Sequence, residues 1–162
     1  MLNPALTLAA LALPAAALAQ EAPVDRSQDL AWQTEQSLAL AKLRSADGWR
    51  WLDGGVGFRY VEGDGSGGPR PTVSDEVTVH YTGTLTDGTV FDSWRTRGEP
   101  ASFPLGGLIK AWQEAIPLMA VGDRIELAIP ADMAYGPMGR GPIPGNATLM
   151  FDIELLGIGG DS

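Results

Sequence analysis

Three stretches of the chain alternate apolar and polar residues with a period of two, and this alternation restricts the fold more than any other feature of the 162 residues. At 77–85, Val77, Val79 and Tyr81 alternate with Thr78, His80 and Thr82. At 124–129, Ile125, Leu127 and Ile129 alternate with Arg124, Glu126 and Ala128. At 149–155, Leu149, Phe151, Ile153 and Leu155 alternate with Met150, Asp152 and Glu154. Successive side chains of a strand point to opposite faces, so each stretch predicts a strand with one apolar and one wet face, the pattern of an antiparallel sheet. Shorter strands are predicted at 56–61, carrying Phe58 and Tyr60, and at 89–93. The latter joins the 77–85 strand through Asp87-Gly88, a dipeptide that favours a tight hairpin turn. Pro130 ends the 124–129 strand because it has no N–H for the ladder.

The period changes at 108–116, where Leu108, Ile109, Trp112, Ala115 and Ile116 fall on one side of a helix that Pro117 terminates. One short helix against one face of an antiparallel sheet is an α+β arrangement. A second, amphipathic helix is predicted over 27–46 from the spacing of Trp32, Leu38, Ala39, Leu43 and Ala46, with Ser27 as its N-cap and Asp47-Gly48 as its stop. Residues 49–57 read as an aromatic, Gly-rich connector that packs its tryptophans, and 63–69 as a loop. Asp75 and Glu76 read as a solvated strand end, and Asn146-Ala147-Thr148 as a strand entry rather than a glycosylated sequon.

All 11 Lys and Arg and all 20 Asp and Glu lie beyond residue 19. The charge-free segment, MLNPALTLAALALPAAALA, is an apolar run broken by Pro4 and Pro14. It closes on Ala17-Leu18-Ala19, the small-x-small pattern of a signal-peptide cleavage site. A buried N-terminal helix is the competing reading, and the run is short for a bilayer span of ~20 residues. The segment lacks the Lys or Arg of an ordinary signal, which leaves open a start upstream of Met1. Cleavage after Ala19, with no Cys behind it to carry a lipid, predicts a periplasmic or secreted protein with no stable membrane insertion.

The net charge of -9 and the absence of any Lys/Arg cluster disfavour nucleic acid as a partner. With no Cys, the chain has no disulfide, no thiolate nucleophile and no Cys-ligated zinc or iron-sulfur cluster. Its one His, His80, alternates onto the polar face of its strand and reads as neither base nor ligand. No metal and no cofactor is expected. A carboxylate hydrolase has only the abundance of acids behind it, and these are scattered through turns.

Six fragments carry a further signal: VHYTG at 79–83, L-x-DG-x-x-FDS at 85–93, LGGLIKAW at 105–112, LMAVGD at 118–123, IP-x-x-x-AYG at 129–136 and NATLMFDIELL at 146–156. In this order, across 56–158, they resemble the FKBP-type peptidyl-prolyl cis-trans isomerases, in particular the exported bacterial, Mip-like kind. The resemblance implies a curled antiparallel sheet wrapped around one short helix. It also implies catalysed rotation of X-Pro bonds during folding of exported proteins, proline-containing polypeptides as clients, and macrolides such as rapamycin as inhibitors. The chain then divides into a signal peptide (1–19), an N-terminal helical extension (20–48) and an isomerase domain (49–162).

By the same resemblance, Trp112 forms the floor of an apolar cup, Tyr81, Phe91, Phe103 and Phe151 its walls, and Leu108 and Ile109 its helix entrance. The backbone N–H of Ile109 and the phenol of Tyr135 grip carbonyl oxygens, Asp92 accepts from Tyr81 and pairs with Arg97, and Ile143 sits on a loop over the cup. Tyr81, Asp92, Trp112, Tyr135 and Phe151 are the expected catalytic residues, and the remainder of the set binds substrate. Taken singly, each aromatic reads as plain core and Asp92 as a turn cap; in register with the motifs they read as a site. Ala101 stands where many members have an aromatic, leaving one wall shallower. Gly145 replaces a frequent Pro, which predicts a more mobile loop, and Arg140 and Pro142 alter that loop further, predicting a changed preference for the residue before Pro. A noncatalytic chaperone or peptide-binding module is the alternative function, although the ten residues between Gly136 and Ala147 leave no room for an inserted chaperone domain. The 27–46 helix fits either docking on its own domain through Trp32 and Leu43, or a weak dimer.

Overall fold

The computed structural model describes residues 25, 26, 28–94 and 97–159. The segment read as an export signal, and Ser27 read as a helix cap, lie outside them. The described chain runs α1 (Leu30–Ala41), β1 (Arg50–Trp51), β2 (Gly57–Glu62), β3 (Glu76–Leu85), β4 (Val90–Ser93), β5 (Ala101–Pro104), α2 (Lys110–Ala115), β6 (Arg124–Ile129) and β7 (Leu149–Ile158). The seven strands form one antiparallel sheet in the order β1-β2-β6-β7-β3-β4, and β5 also pairs with β3.

β3 is the spine. One edge pairs along its length with β7, and its other edge is shared, with Val77 and Val79 opposite Phe103 and Ala101 of β5, and Thr82 and Gly83 opposite Ser93 and Asp92 of β4. The alternation sorts the two faces as expected, except that Ala128, counted on the wet face of β6, is fully buried. Val77, Val79 and Tyr81 of β3, Ile125, Leu127 and Ile129 of β6, and Leu149, Ile153 and Leu155 of β7 are fully buried. They share one cluster with Trp112, Ala111 and Ala115 of α2.

Several boundaries differ from the sequence reading. β5, which follows Pro100 and ends on Pro104, has no alternation long enough to be seen, and its existence depends on the free edge of β3. Helix α2 is shorter than the predicted 108–116: Leu108 and Ile109 precede it in extended conformation, and Pro117 enters a 3-10 turn at its end. Helix α1 stops at Ala41 and is capped by Asp29, whose carboxylate accepts from the N–H of Trp32 at 3.0 Å. Its inward side holds only part of the expected apolar stripe: Trp32 packs against the core. Gln36 is its buried residue, while Leu38 and Ala46 are exposed. In the connector, Trp49 is buried, but Trp51 lies 48% exposed on the short edge strand β1.

Gly83 shows how closely the spine and the aromatic side chains fit. A Cβ at this position would stand 2.5 Å from Phe91 and 2.7 Å from Phe151. Both rings therefore lie against bare backbone. Gly83→Ala is expected to push them off their rotamers and cost about 1–3 kcal/mol, the usual penalty of overpacking, as measured by urea denaturation.

Candidate active site

The site is assembled around Trp112 because α2 presents this ring to the inner face of the sheet. The indole is fully buried and meets three rings edge-on, with centroids 5.2 Å from Tyr81, 5.3 Å from Phe151 and 6.5 Å from Phe103. Phe91 of β4 extends the group by an edge contact with Phe151 at 5.6 Å. Edge-to-face packing places ring hydrogens on neighbouring π faces, the preferred arrangement for aromatic pairs. Four strands and one helix thus converge on one aromatic cluster, joined by Leu108, Ile109 and Ile143.

Polar groups lie at one end of the cluster. Asp92, at the end of β4, has a buried carboxylate that takes two donors: the Tyr81 hydroxyl at 2.5 Å on Oδ2 and the Arg97 guanidinium at 2.8 Å on Oδ1. Burial raises the Asp92 carboxyl above the ordinary aspartate range, and the Tyr81 bond and Arg97 charge oppose that rise. The Tyr81 phenol is pushed far up, first by burial and then by the Asp92 charge, so it stays protonated and donates. Arg97 is itself held by stacking on Trp94, 4.7 Å from its ring centroid. Trp94 was missed in the sequence; its only signal was its position directly after the FDS motif.

Tyr135 follows the turn that β6 enters at Pro130. Its hydroxyl is buried and has no hydrogen-bond partner among the described residues. Burial raises its pKa, with Asp92 adding to the rise and Arg140 opposing it. A buried phenol with no internal acceptor is a donor held ready for a ligand. The backbone N–H of Ile109 lies ahead of the first helical turn of α2, whose bonds instead use the Ile109 carbonyl, which accepts from Trp112 and Gln113.

The loop over the cluster closes on itself. Arg140 and Ile143 exchange two backbone hydrogen bonds, at 2.9 and 2.8 Å, and the N–H of Asn146 donates to Gly136 at 2.9 Å. Gly145 is no open hinge, in contrast to the expectation of a looser loop. It is buried, and a Cβ there would stand 2.1 Å from the carbonyl oxygen of Pro137. The glycine serves a close crossing of two backbone segments.

Comparison with known proteins agrees with this fold. Residues 68–156 match the FKBP-type peptidyl-prolyl cis-trans isomerase family. The chain is 48% identical over 119 residues to the FKBP-type peptidyl-prolyl cis-trans isomerase FkpA of Aeromonas hydrophila, covering 74% of this chain and 44% of that protein. It is 48% identical over 120 residues to the outer membrane protein MIP of Legionella longbeachae, covering 74% and 51%. The chain thus spans about half the length of these relatives. Among solved structures, a peptidyl-prolyl cis-trans isomerase from Pseudomonas syringae superposes with a TM-score of 0.72 at 30% identity, over 87% of this chain and 99% of that one. With the matched segment running from before β3 into β7, the chain belongs to the FKBP-type peptidyl-prolyl cis-trans isomerase family.

Proposed function

We propose that the chain catalyses cis-trans isomerisation of X-Pro peptide bonds in polypeptides, without a covalent intermediate. The observation that carries this reading is the Tyr135 hydroxyl, buried and without a partner among the described residues, packed beside the aromatic cluster. Rotation about a peptide bond faces a barrier of about 18–20 kcal/mol, because twisting the amide destroys its resonance. The twisted amide is less polar than either planar isomer. A dry apolar surface therefore penalises it less than it penalises the ground states, and preferential binding of the twisted form lowers the barrier.

In this reading Trp112 is the floor beneath the prolyl ring, and Tyr81, Phe91, Phe103 and Phe151 are the walls. Leu108 lines the helix entrance, and Ile143 narrows the opening from above. The Tyr135 hydroxyl and the Ile109 N–H hold carbonyl oxygens flanking the rotating bond. Asp92 keeps Tyr81 in place and pairs with Arg97. Neutral phenol donors suit this task, since an ionised group beside the amide would favour its polar planar forms. Macrolides such as rapamycin are the expected inhibitors, occupying the same cup.

Residues 49–162 form the isomerase unit in this proposal, with 20–48 as a helical extension and 1–19 as an export signal that directs the protein to the periplasm or the medium. Similarity to an outer membrane protein supports export. No helix among the described residues is long and apolar enough to cross a membrane. Protein recovered from the periplasm is expected to begin at Gln20 on N-terminal sequencing; a chain beginning at Met1 overturns the export reading.

Two measurements test the chemistry. In a protease-free isomerisation assay with X-Pro tetrapeptides, Tyr135→Phe is expected to lower kcat/KM about tenfold, the worth of one lost hydrogen bond in the transition state. Trp112→Leu combined with Asp92→Val should remove most of the rate; no acceleration by the wild-type chain, or an unchanged rate in the double variant, defeats the proposal. The second concerns pH. Because burial raises the Asp92 pKa above its unfolded value, this group favours the fold most below the unfolded aspartate pKa of about 3.9, and that contribution is lost as pH rises through the folded value. The stability of the wild type relative to Asp92→Asn should therefore increase on acidification from pH 7 to 4, measured by urea denaturation at both pH values. A decrease would show that the Arg97 pair outweighs burial.

A further inference from the structure

Helix α1 packs Trp32 against the core and makes polar contacts with the loop over the aromatic cluster, with the residue before β7 and with the β3–β4 hairpin. The indole N–H of Trp32 donates to the carbonyl of Gly145 at 3.1 Å. Gln36, buried, accepts the N–H of Thr148 on its side-chain oxygen at 2.8 Å and donates to the hydroxyl of Thr86 at 3.3 Å, while the Thr148 hydroxyl donates to the Gln36 carbonyl at 3.2 Å. One helix face thus ties down both the end of the loop and the start of β7, and reaches the β3–β4 hairpin.

The placement of these bonds matters because of what lies between them. Gly145 and Asn146 are adjacent, and the Asn146 N–H closes the loop on Gly136, the residue after Tyr135. Ile143, two residues before Gly145, is 1% exposed and packs into the cluster. The loop has a glycine at 145, where the backbone loses more freedom on ordering than any other residue would require. The crossing of Gly145 over Pro137 admits no side chain, so restraint must come from outside the loop. Trp32 supplies it, with its ring stacked under the Arg26 guanidinium at 4.5 Å.

We propose that Trp32 and Gln36 are positioning residues for the isomerase site: docked α1 is a latch that holds Ile143 and Tyr135 in their working places, and its release loosens one wall and one donor together. The proposal rests on the isomerase reading for its rate readout alone.

Hydrogen exchange and kinetics on the full chain test it. Trp32→Phe keeps an aromatic ring and removes the donor to Gly145; Gln36→Leu removes the acceptor for Thr148. In each, the Ile143 and Asn146 amides, both bonded within the loop, are expected to exchange about five- to tenfold faster, the effect of losing roughly one hydrogen bond, while amides in β6 and β7 centres are unchanged. The kcat/KM values at 10 °C should fall by about the same factor, and unequally for Leu-Pro and Ala-Pro peptides, because a displaced Ile143 alters the shape of one wall. A change in the amount of folded protein would scale both peptides equally. Unchanged exchange at Ile143 and Asn146, or rates that fall in equal proportion, overturn the latch. Should the wild-type chain prove inactive on every peptide, the function fails while the exchange data still decide the latch. If one variant does not fold, the other carries both readouts.

Discussion

The edge-on contacts of the Trp112 indole with Tyr81 and Phe151 set the separation between α2 and the sheet, and the remaining geometry follows from that separation. A ring standing on edge needs more depth than an aliphatic side chain. β3 provides part of that depth by having no side chain at Gly83, where Phe91 and Phe151 come within van der Waals reach of the backbone. β5 and β4 then divide one edge of β3 between them, so that Phe103 and Phe91 approach Tyr81 and Phe151 from opposite ends of the same strand. The aromatic cluster is thus part of the hydrophobic core, and the proposed site is the end of that core where polar groups begin.

Asp92 marks this end. A carboxylate buried among rings is costly unless every lone pair that faces the interior is met by a donor. Here one oxygen takes the Tyr81 hydroxyl and the other takes Arg97. The arrangement fixes Tyr81 by its polar tip while the body of its ring serves the apolar wall, which is the amphipathic use of a buried tyrosine. Stacking of Arg97 on Trp94 extends the same fixing outward to the segment after β4. The single buried charge of the cluster therefore acts on the shape of the wall.

The parts of this architecture that were legible in the sequence are those fixed by local periodicity: the long strands β3, β6 and β7, the hairpin at Asp87-Gly88, and the short helix bearing Trp112. Each has a face whose residues all meet the same surroundings, so the spacing of apolar residues reports the face directly. β5 is invisible because four residues that follow one proline and end on another become a strand through an edge that another part of the chain leaves free. The α1 helix was misread for the opposite reason. Its docking surface consists of strand ends and loop backbone, with an exposed carbonyl at Gly145 and an N–H at Thr148, and such a surface selects Trp32 and Gln36 rather than leucines. Counting apolar residues on that helix finds Trp32, which docks, but also Leu38, which faces solvent, and it passes over Gln36. Of the site, the motif-bearing residues were identifiable by their register with a family, whereas Trp94 and the helix contacts have no motif to report them.

Catalysis by shape places its demands on rigidity. A site that offers a nucleophile or a metal can tolerate some looseness around a strong bond-making group, but a site that lowers a rotational barrier by fitting a twisted amide loses its discrimination as the walls move, because a soft cup also fits the planar forms. Sheet and helix hold Trp112, Tyr81, Phe91 and Phe151. Tyr135 and Ile143 lie outside regular structure, on a segment of 3-10 turns with left-handed glycines at 136, 139 and 141. Their fixation depends on the two backbone bonds between Arg140 and Ile143, the closure of Asn146 on Gly136 and the tight crossing at Gly145. Each of these lies within the loop itself, and a loop cannot be anchored only to itself. Beyond the packing of Ile143 and Tyr135 against the core, hydrogen-bonded restraint from outside the loop enters at the Gly145 carbonyl and the Thr148 N–H, and both partners there belong to α1, which lies outside the matched 68–156 segment of the isomerase family.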